Sequence, residues 1–177
     1  MSADFDLRLH ELLFDVRRSI RYHNRRRMFF DRFNLAANSV ALIFGSATVY
    51  GVLSHAGQWL ALGAAAFVTV FSALNLVVGS SRMARLHSNL ARRFIALEKD
   101  ICAAEALDEA GLRTSTVARL DIEAEEPPVL RVLDTLCHNE LARAMGYGTA
   151  QMKRVKWYQR ALAQFFDCRA HAIADGA

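Results

Sequence analysis

The sequence predicts an all-α membrane protein: a two-transmembrane helical hairpin with long cytoplasmic helical extensions and a small C-terminal helical bundle. Three observations carry that expectation. Between Arg32 and Arg82 there is no Lys, Arg, Asp or Glu, a gap of 49 residues. Arginines crowd both ends of the gap. On either side of it, apolar residues recur at helical spacing. One helix of the uncharged length would measure roughly 74 Å at ~1.5 Å per residue, more than twice a ~30 Å hydrocarbon core. The run must therefore fold back. Ser54-His55-Ala56-Gly57 is the polar, glycine-containing cluster near its middle and supplies the turn. That leaves Leu35–Leu53 and Gln58–Val78, each about long enough to span a bilayer once.

In chain order, residues 1–33 form the first element, a cytoplasmic basic amphipathic helix. Phe5, Leu9, Leu12, Leu13, Val16, Ile20 and Phe30 share one face, while Arg17, Arg18, Arg21, Arg25 and Arg32 form a stripe on the other side. The stripe reads as a membrane anchor, because anionic headgroups attract juxtamembrane basic residues by roughly 1 kcal/mol each. His23 and Arg27, four residues apart, are exceptions on the apolar face. Arg27 there either snorkels to headgroups or pairs with an acid on a neighbouring helix, since an unpaired buried charge is costly. Alternatively the two residues form a ligand site or a positive ring at the mouth of a pore, suited to anions or to a phosphate-bearing signal.

Residues 34–79 are the hairpin, with spans at 35–53 and 58–78. Its flanks carry the arginines and its turn carries only His55, so the positive-inside rule places both termini in the cytoplasm. Trp59 beside the turn reads as an interfacial anchor. The first apolar run begins too late for a secretory signal. Ala37, Ala41 and Gly45, and again Ala47 and Gly51, are small residues spaced by four that permit close helix approach, within the hairpin or between protomers. Thr69, Ser72, Asn75 and Gly79 form a polar stripe in the second span. Asn38 and Ser39 lie at matching depth in the first, with Ser46 deeper. Polar groups in a bilayer face a bundle interior or a water-filled cavity. Asn38, Ser39, Ser46, Thr69, Ser72 and Asn75 are accordingly either interhelical hydrogen-bonding groups or the lining of a pore, and a pore needs an oligomer.

Residues 80–177 are a cytoplasmic helical tail. Met83, Leu86, Leu90, Phe94, Leu97, Ile101 and Ala104 keep a coiled-coil-like seam on a helix expected to continue from the second span and to close at Gly111. A short helix capped by Thr114 or Ser115 should run to about Glu125. Pro127-Pro128 should open another, which Gly146-Tyr147-Gly148 ends. A last helix should run from Thr149 to about Ile173. No strand is expected.

Charge divides along the chain. Residues 1–93 hold 12 Lys/Arg and 5 Asp/Glu, a net +7, and residues 94–177 hold 10 and 13, a net −3. A basic half at the membrane and an acidic soluble half argue against a nucleic-acid binder. Cys102, Cys137 and Cys168 form no CxxC and read as packing residues on the cytoplasmic side, where disulfides are rare. Cys168 and His171 have ligand spacing, and Cys137-His138 offers one more ligand, but a zinc site needs about four in tetrahedral reach. No cofactor or metal is expected. Arg18 with His23 and Arg82 with His87 match the R-x4-H spacing of helical ribonucleases, a two-residue match that an arginine-rich chain produces readily. No motif for catalysis stands out, and the chain does not read as an enzyme. KRVKWYQR at 153–160 interleaves basic and aromatic residues and is either a solvated or membrane-facing helix or a nucleotide surface. The acidic run DIEAEE at 121–126 offers those basic residues an alternative docking partner, in the same or a neighbouring chain.

The segment RYHNRRRMFFDRFN at 21–34, two spans with a minimal external turn and a helical cytoplasmic tail together resemble the SLATT domains. These are two-transmembrane effector modules of bacterial nucleotide-signalled conflict systems. The resemblance covers essentially the whole chain, with RYHxRRRxFF its most specific part. It implies a multi-pass protein of the bacterial inner membrane that forms homo-oligomers and breaches the bilayer as a pore-forming, depolarising effector in antiphage defence. Its trigger would be a nucleotide second messenger or a separate sensor protein, since no sensing domain is fused. The alternative is a non-conducting anchor or scaffold that recruits a cytosolic partner through the helical tail.

Overall fold

A computed structural model describes residues 3–104, 107–170 and 173–175, with all side chains among them except those at 47, 48, 50, 53, 56, 174 and 175. The helices are α1 (Ala3–Phe44), α2 (Ala47–Ala56), α3 (Gln58–Val78), α4 (Ser80–Ala103), α5 (Glu109–Glu123), α6 (Arg131–Ala144) and α7 (Trp157–Leu162), with a 3-10 turn at Thr149–Gln151. The architecture is all-helical apart from two strands of two residues each, β1 (Lys153–Arg154) and β2 (Ala174–Asp175), which pair antiparallel. This ladder corrects the expectation of no strand. The chain divides into two compact units: Met1–Arg26 with His87–Ala177, and Arg27–Leu86.

In the unit of residues 27–86, the first apolar run is not one helix over 35–53. It stops at Phe44 and restarts at Ala47. Gly45 lies so close to the preceding turn that a Cβ there would collide with the Ala41 carbonyl oxygen. The Ser46 hydroxyl then serves both sides of the break, donating to the Ile43 carbonyl at 3.1 Å and accepting from the Val49 N–H at 3.3 Å. A serine that re-satisfies freed backbone groups is what makes such a break tolerable away from water. The turn expected over 54–57 is narrower: α2 runs through Ala56, and Gly57 alone reverses the chain at φ 144°. That conformation is closed to other L-residues without strain. The C-terminus of α3 is capped by Gly79 at φ 61°, whose N–H reaches the carbonyls of Asn75 and Leu76. A single left-handed glycine thus separates α3 from α4. Among the described residues, the run Gln58–Ala103 that they form is the one helical stretch long and apolar enough to cross a membrane.

In the other unit, α1 and α4 bury the faces their spacing prescribes. Phe5, Leu12 and Val16 are buried on α1, and Leu90, Phe94, Leu97 and Ile101 on α4. The seam ends one residue early, because α4 stops at Ala103 and Ala104 is exposed. Gly111 does not close α4. It sits in the first turn of α5, where the Asp108 carboxylate accepts its N–H at 2.8 Å, so Asp108 rather than Thr114 or Ser115 is the cap. A Cβ at Gly111 would meet Leu107 at 3.1 Å and the capping oxygen at 3.3 Å, which is why glycine suits that position. Helix α6 starts three residues after Pro128, and its cap is remote. Asp167 accepts the N–H groups of Arg131 and Val132, each at 3.0 Å, placing a carboxylate on the positive end of the helix. Tyr22 joins Val132, Leu133, Cys137 and Ala163 in a core cluster, and its hydroxyl accepts the Leu130 N–H at 3.0 Å.

The largest departure is at the C-terminus, where a helix over 149–173 was expected and α7 spans six residues. Two buried or half-buried amides redirect the backbone. The Asn139 side chain both accepts from Lys153 N–H and donates to Lys153 C=O, imitating a neighbouring strand. The Gln159 side chain, 1% exposed, accepts the Lys156 N–H at 2.9 Å and donates to the carbonyls of Cys168 and Arg169 at 3.1 and 3.2 Å. These bonds satisfy groups that a continuous helix would otherwise pair. Replacing Gln159 with Leu removes the partner of all three backbone groups, at about 1–3 kcal/mol for each one that water does not reach. Hydrogen exchange should then show residues 150–170 losing protection while α1 and α4 keep theirs.

Candidate functional site

Helical spacing alone places His23 among apolar neighbours, and the structure buries it completely, at 0% exposure, within the unit formed by residues 1–26 and 87–177. Its Nδ1 lies 2.9 Å from Nδ1 of His87 on α4, and its Nε2 lies 2.9 Å from a carboxylate oxygen of Glu126, just beyond α5. The Phe94 ring stacks on His23 with centroids 5.6 Å apart, and Tyr22 meets it edge-on. Hydrogen-bond directions follow from the acceptor-only carboxylate. Nε2 of His23 donates to Glu126, so in a neutral His23 the Nδ1 accepts from Nδ1–H of His87. Burial, then the neighbouring His23 and Arg26, push the His87 pKa down to about 3. His87 is therefore a neutral ring at ordinary pH.

The arginine stripe meets carboxylates, three of the four from the acidic half of the chain. Arg17 pairs with Glu98 at 2.6 Å, Arg18 with both Asp15 and Asp134 at 3.2 Å, and Arg25 with Glu140 at 2.6 Å. Arg21 donates to the Arg17 carbonyl, and Arg32 is exposed. Arg26, which the stripe left out, donates to the Gln164 carbonyl at 2.7 Å. The acidic run is engaged as well, though not by residues 153–160: Glu123 pairs with Arg119, Glu125 with Arg93 and Glu126 with His23. That corrects its expected docking partner within the chain. His23 and Arg27 fall in different units, and Arg27 is exposed with Asp31 at 3.5 Å.

In the unit of residues 27–86, Asn75 donates to the Asn34 side-chain oxygen at 3.2 Å, joining α3 to α1. Sequence reasoning passed over Asn34, although it stands in the segment 21–34 and matches Asn75 in depth. Thr69 is exposed and bonds back to the Ala65 carbonyl, and Ser72 is half-buried. Asn38 and Ser39 are exposed, and Ser46 is occupied at the helix break. Of the small residues spaced by four, Ala37 is buried at 2% exposure, Ala41 is half-buried and Gly45 is exposed.

The remaining motifs gain no geometry for chemistry. The two R-x4-H histidines do meet, but as buried rings closed off from solvent. Among the described residues no cluster of three His, Cys, Asp or Glu is disposed to hold a metal, and His171 lies outside them. Cys137 is buried, with its thiol pushed up to about 12 by that burial, whereas Cys102 is exposed and so does not pack. Comparison with protein families, with curated proteins and with solved structures finds no match to this chain. The resemblance to SLATT domains therefore rests on its residues and architecture.

The histidine pair predicts a pH dependence of definite sign. His87 titrates near 6.5 when unfolded and near 3 when folded, so the unfolded chain binds the extra proton between those values. Its contribution is fully present above pH ~6.5 and falls by up to about 1.4 kcal/mol per pH unit below it. The groups around it, His23, Glu126, Arg26 and Tyr22, are unchanged in a His87→Asn variant. Denaturant titrations at pH 7 and pH 5 should show the wild type losing about 2 kcal/mol more than that variant.

Proposed function

We propose that this chain is an integral membrane effector, working as a homo-oligomer whose hairpin helices open a path through the bilayer. The observation that carries the reading is the surface of α3. Ala61 is its single buried residue, while Trp59, Leu76 and Val77 are each more than four-fifths exposed. So continuous an apolar surface far exceeds the patches of a few hundred Å² that soluble monomers show. At 21 residues, α3 is roughly 31 Å long at ~1.5 Å per residue, the thickness of a hydrocarbon core. On this reading α1 and α2 make the other crossing, with Ser46 serving the break between them. The arginine flanks support a topology with both termini in the cytoplasm, and the resemblance to SLATT domains supports a bacterial inner membrane.

Assembly is supported by the polar residues left outward. Asn38, Ser39 and Thr69 are exposed on apolar helices and would face lipid in an isolated hairpin, an unfavourable position that a ring of copies relieves. Arg27 would stand at the cytoplasmic mouth and favour anions or a phosphate-bearing trigger. The second reading, a non-conducting anchor that recruits a partner, is favoured by one observation: Asn75 is already engaged by Asn34 and so is poorly placed to line a channel. Neither reading assigns catalysis to the chain.

Flux through reconstituted vesicles separates them. Thr69→Leu with Ser72→Leu should cut flux and toxicity several-fold while the protein still inserts. Asn34→Leu or Asn75→Leu should instead loosen the hairpin by about 1 kcal/mol with flux retained. Wild-type protein that forms rings yet conducts nothing, with and without candidate nucleotides, would favour the anchor.

A further inference from the structure

We propose that the segment 153–169 is a second membrane contact, a surface element that docks on anionic lipid. The inference rests on the membrane reading above and extends it to a part of the chain with no span in it. Three independent features point there. The first is exposure: Trp157 is 80% exposed and Phe166 65%, with Phe165 and Leu162 also outward, although the same segment buries Gln159 and Ala163. The folding that hides an amide leaves four large apolar side chains in solvent.

The second feature is charge. Residues 153–169 carry Lys153, Arg154, Lys156, Arg160 and Arg169 against Asp167 alone, a net +4, within a tail half whose other residues sum to −7. Asp167 is committed to the α6 N-terminus, so it does not offset the patch where the aromatics emerge. Acidic residues elsewhere in the tail meet arginines of α1, α4 and α5, yet Arg154 and Arg160 stay exposed. Tryptophan and phenylalanine bracketed by Lys and Arg suit the headgroup layer, where the rings sit at the interface and each basic residue gains roughly 1 kcal/mol from anionic lipid.

The third is tethering. The Gln164 carbonyl, between Leu162 and Phe165, accepts a 2.7 Å bond from Arg26. Arg26 stands nine residues before Leu35, where the first apolar run begins. Arg26 belongs to the arginine run that precedes the apolar run in the sequence, so the segment is bonded to the chain's own basic run, whose charge suits the same anionic lipid.

Two single-tryptophan variants of the full chain test this in phosphatidylcholine vesicles with and without phosphatidylglycerol. Trp157→Phe leaves Trp59 as reporter of the hairpin, and Trp59→Phe leaves Trp157 as reporter of the patch. The expected result is a blue-shifted Trp157, quenched several-fold more by headgroup-level than by midplane spin labels. This should occur only with the anionic lipid and should be lost on Arg154→Gln with Arg160→Gln. A lipid-quenched Trp59 beside a water-exposed Trp157 would overturn the inference and leave the membrane reading standing. A water-exposed Trp59 would overturn both. Protection of Trp157 by added RNA, or by self-association in the absence of anionic lipid, would also overturn it.

Discussion

A buried polar joint organises the larger unit. His23 cannot be solvated where α1 packs on α4, so its two nitrogens must find partners inside the protein, and they find them on different elements: His87 on α4 and Glu126 beyond α5. Placing one donor–acceptor chain through three segments sets the register of α1 against α4 and draws the end of α5 onto both. Apolar contacts such as Val16, Leu90 and Phe94 supply most of the driving force, because burial of that surface is non-directional and large. They do not choose among neighbouring registers. A displaced α4 would leave the Nδ1 atoms of both buried imidazoles without each other, and that cost makes the observed arrangement the specific one.

Charge acts around this joint in the same manner. Taken linearly, the basic first half and the acidic second half suggest separate destinations for the two. In the folded unit they meet, as Arg17 with Glu98, Arg18 with Asp134, Arg25 with Glu140 and Arg93 with Glu125. Each such half-exposed pair contributes little alone, on the order of 0–1 kcal/mol. Together they give α1 one charged rim facing its own acidic tail. The residues that this pairing leaves outward are therefore informative, and Arg154, Arg160 and the aromatics beside them are among these.

The unit of residues 27–86 differs in that its surface is largely apolar, and the breaks in its helices are met within the chain. Its breaks fall at glycines, and two have a local remedy: Ser46 for the Ile43 carbonyl and the Val49 N–H either side of Gly45, and a left-handed Gly79 that returns its own N–H to the end of α3. The Asn75 amide donates to the Asn34 oxygen across the same unit. This economy of polar groups leaves Asn38, Ser39 and Thr69 conspicuous on its surface.

How much of this was legible beforehand depended on whether the signal was local. The uncharged run, the helical character and the seams of α1 and α4 followed from spacing and composition, since burial of an amphipathic face obeys a short period that a single strand of sequence displays. The end of α6 near Gly146 was equally local. What escaped were contacts between residues far apart in sequence: Asp167 capping α6, Gln159 and Asn139 dismantling an expected last helix, and His87 and Glu126 enclosing His23. An amide or a carboxylate has no preference of its own for these partners, and the tertiary packing decides by removing water and leaving one neighbour within reach. Helices and an apolar, charge-free stretch were thus determined by the sequence itself, through backbone propensity and the hydrophobic period. Which polar groups would close upon one another, and which arginines would be left at the surface, was decided only when the helices came together.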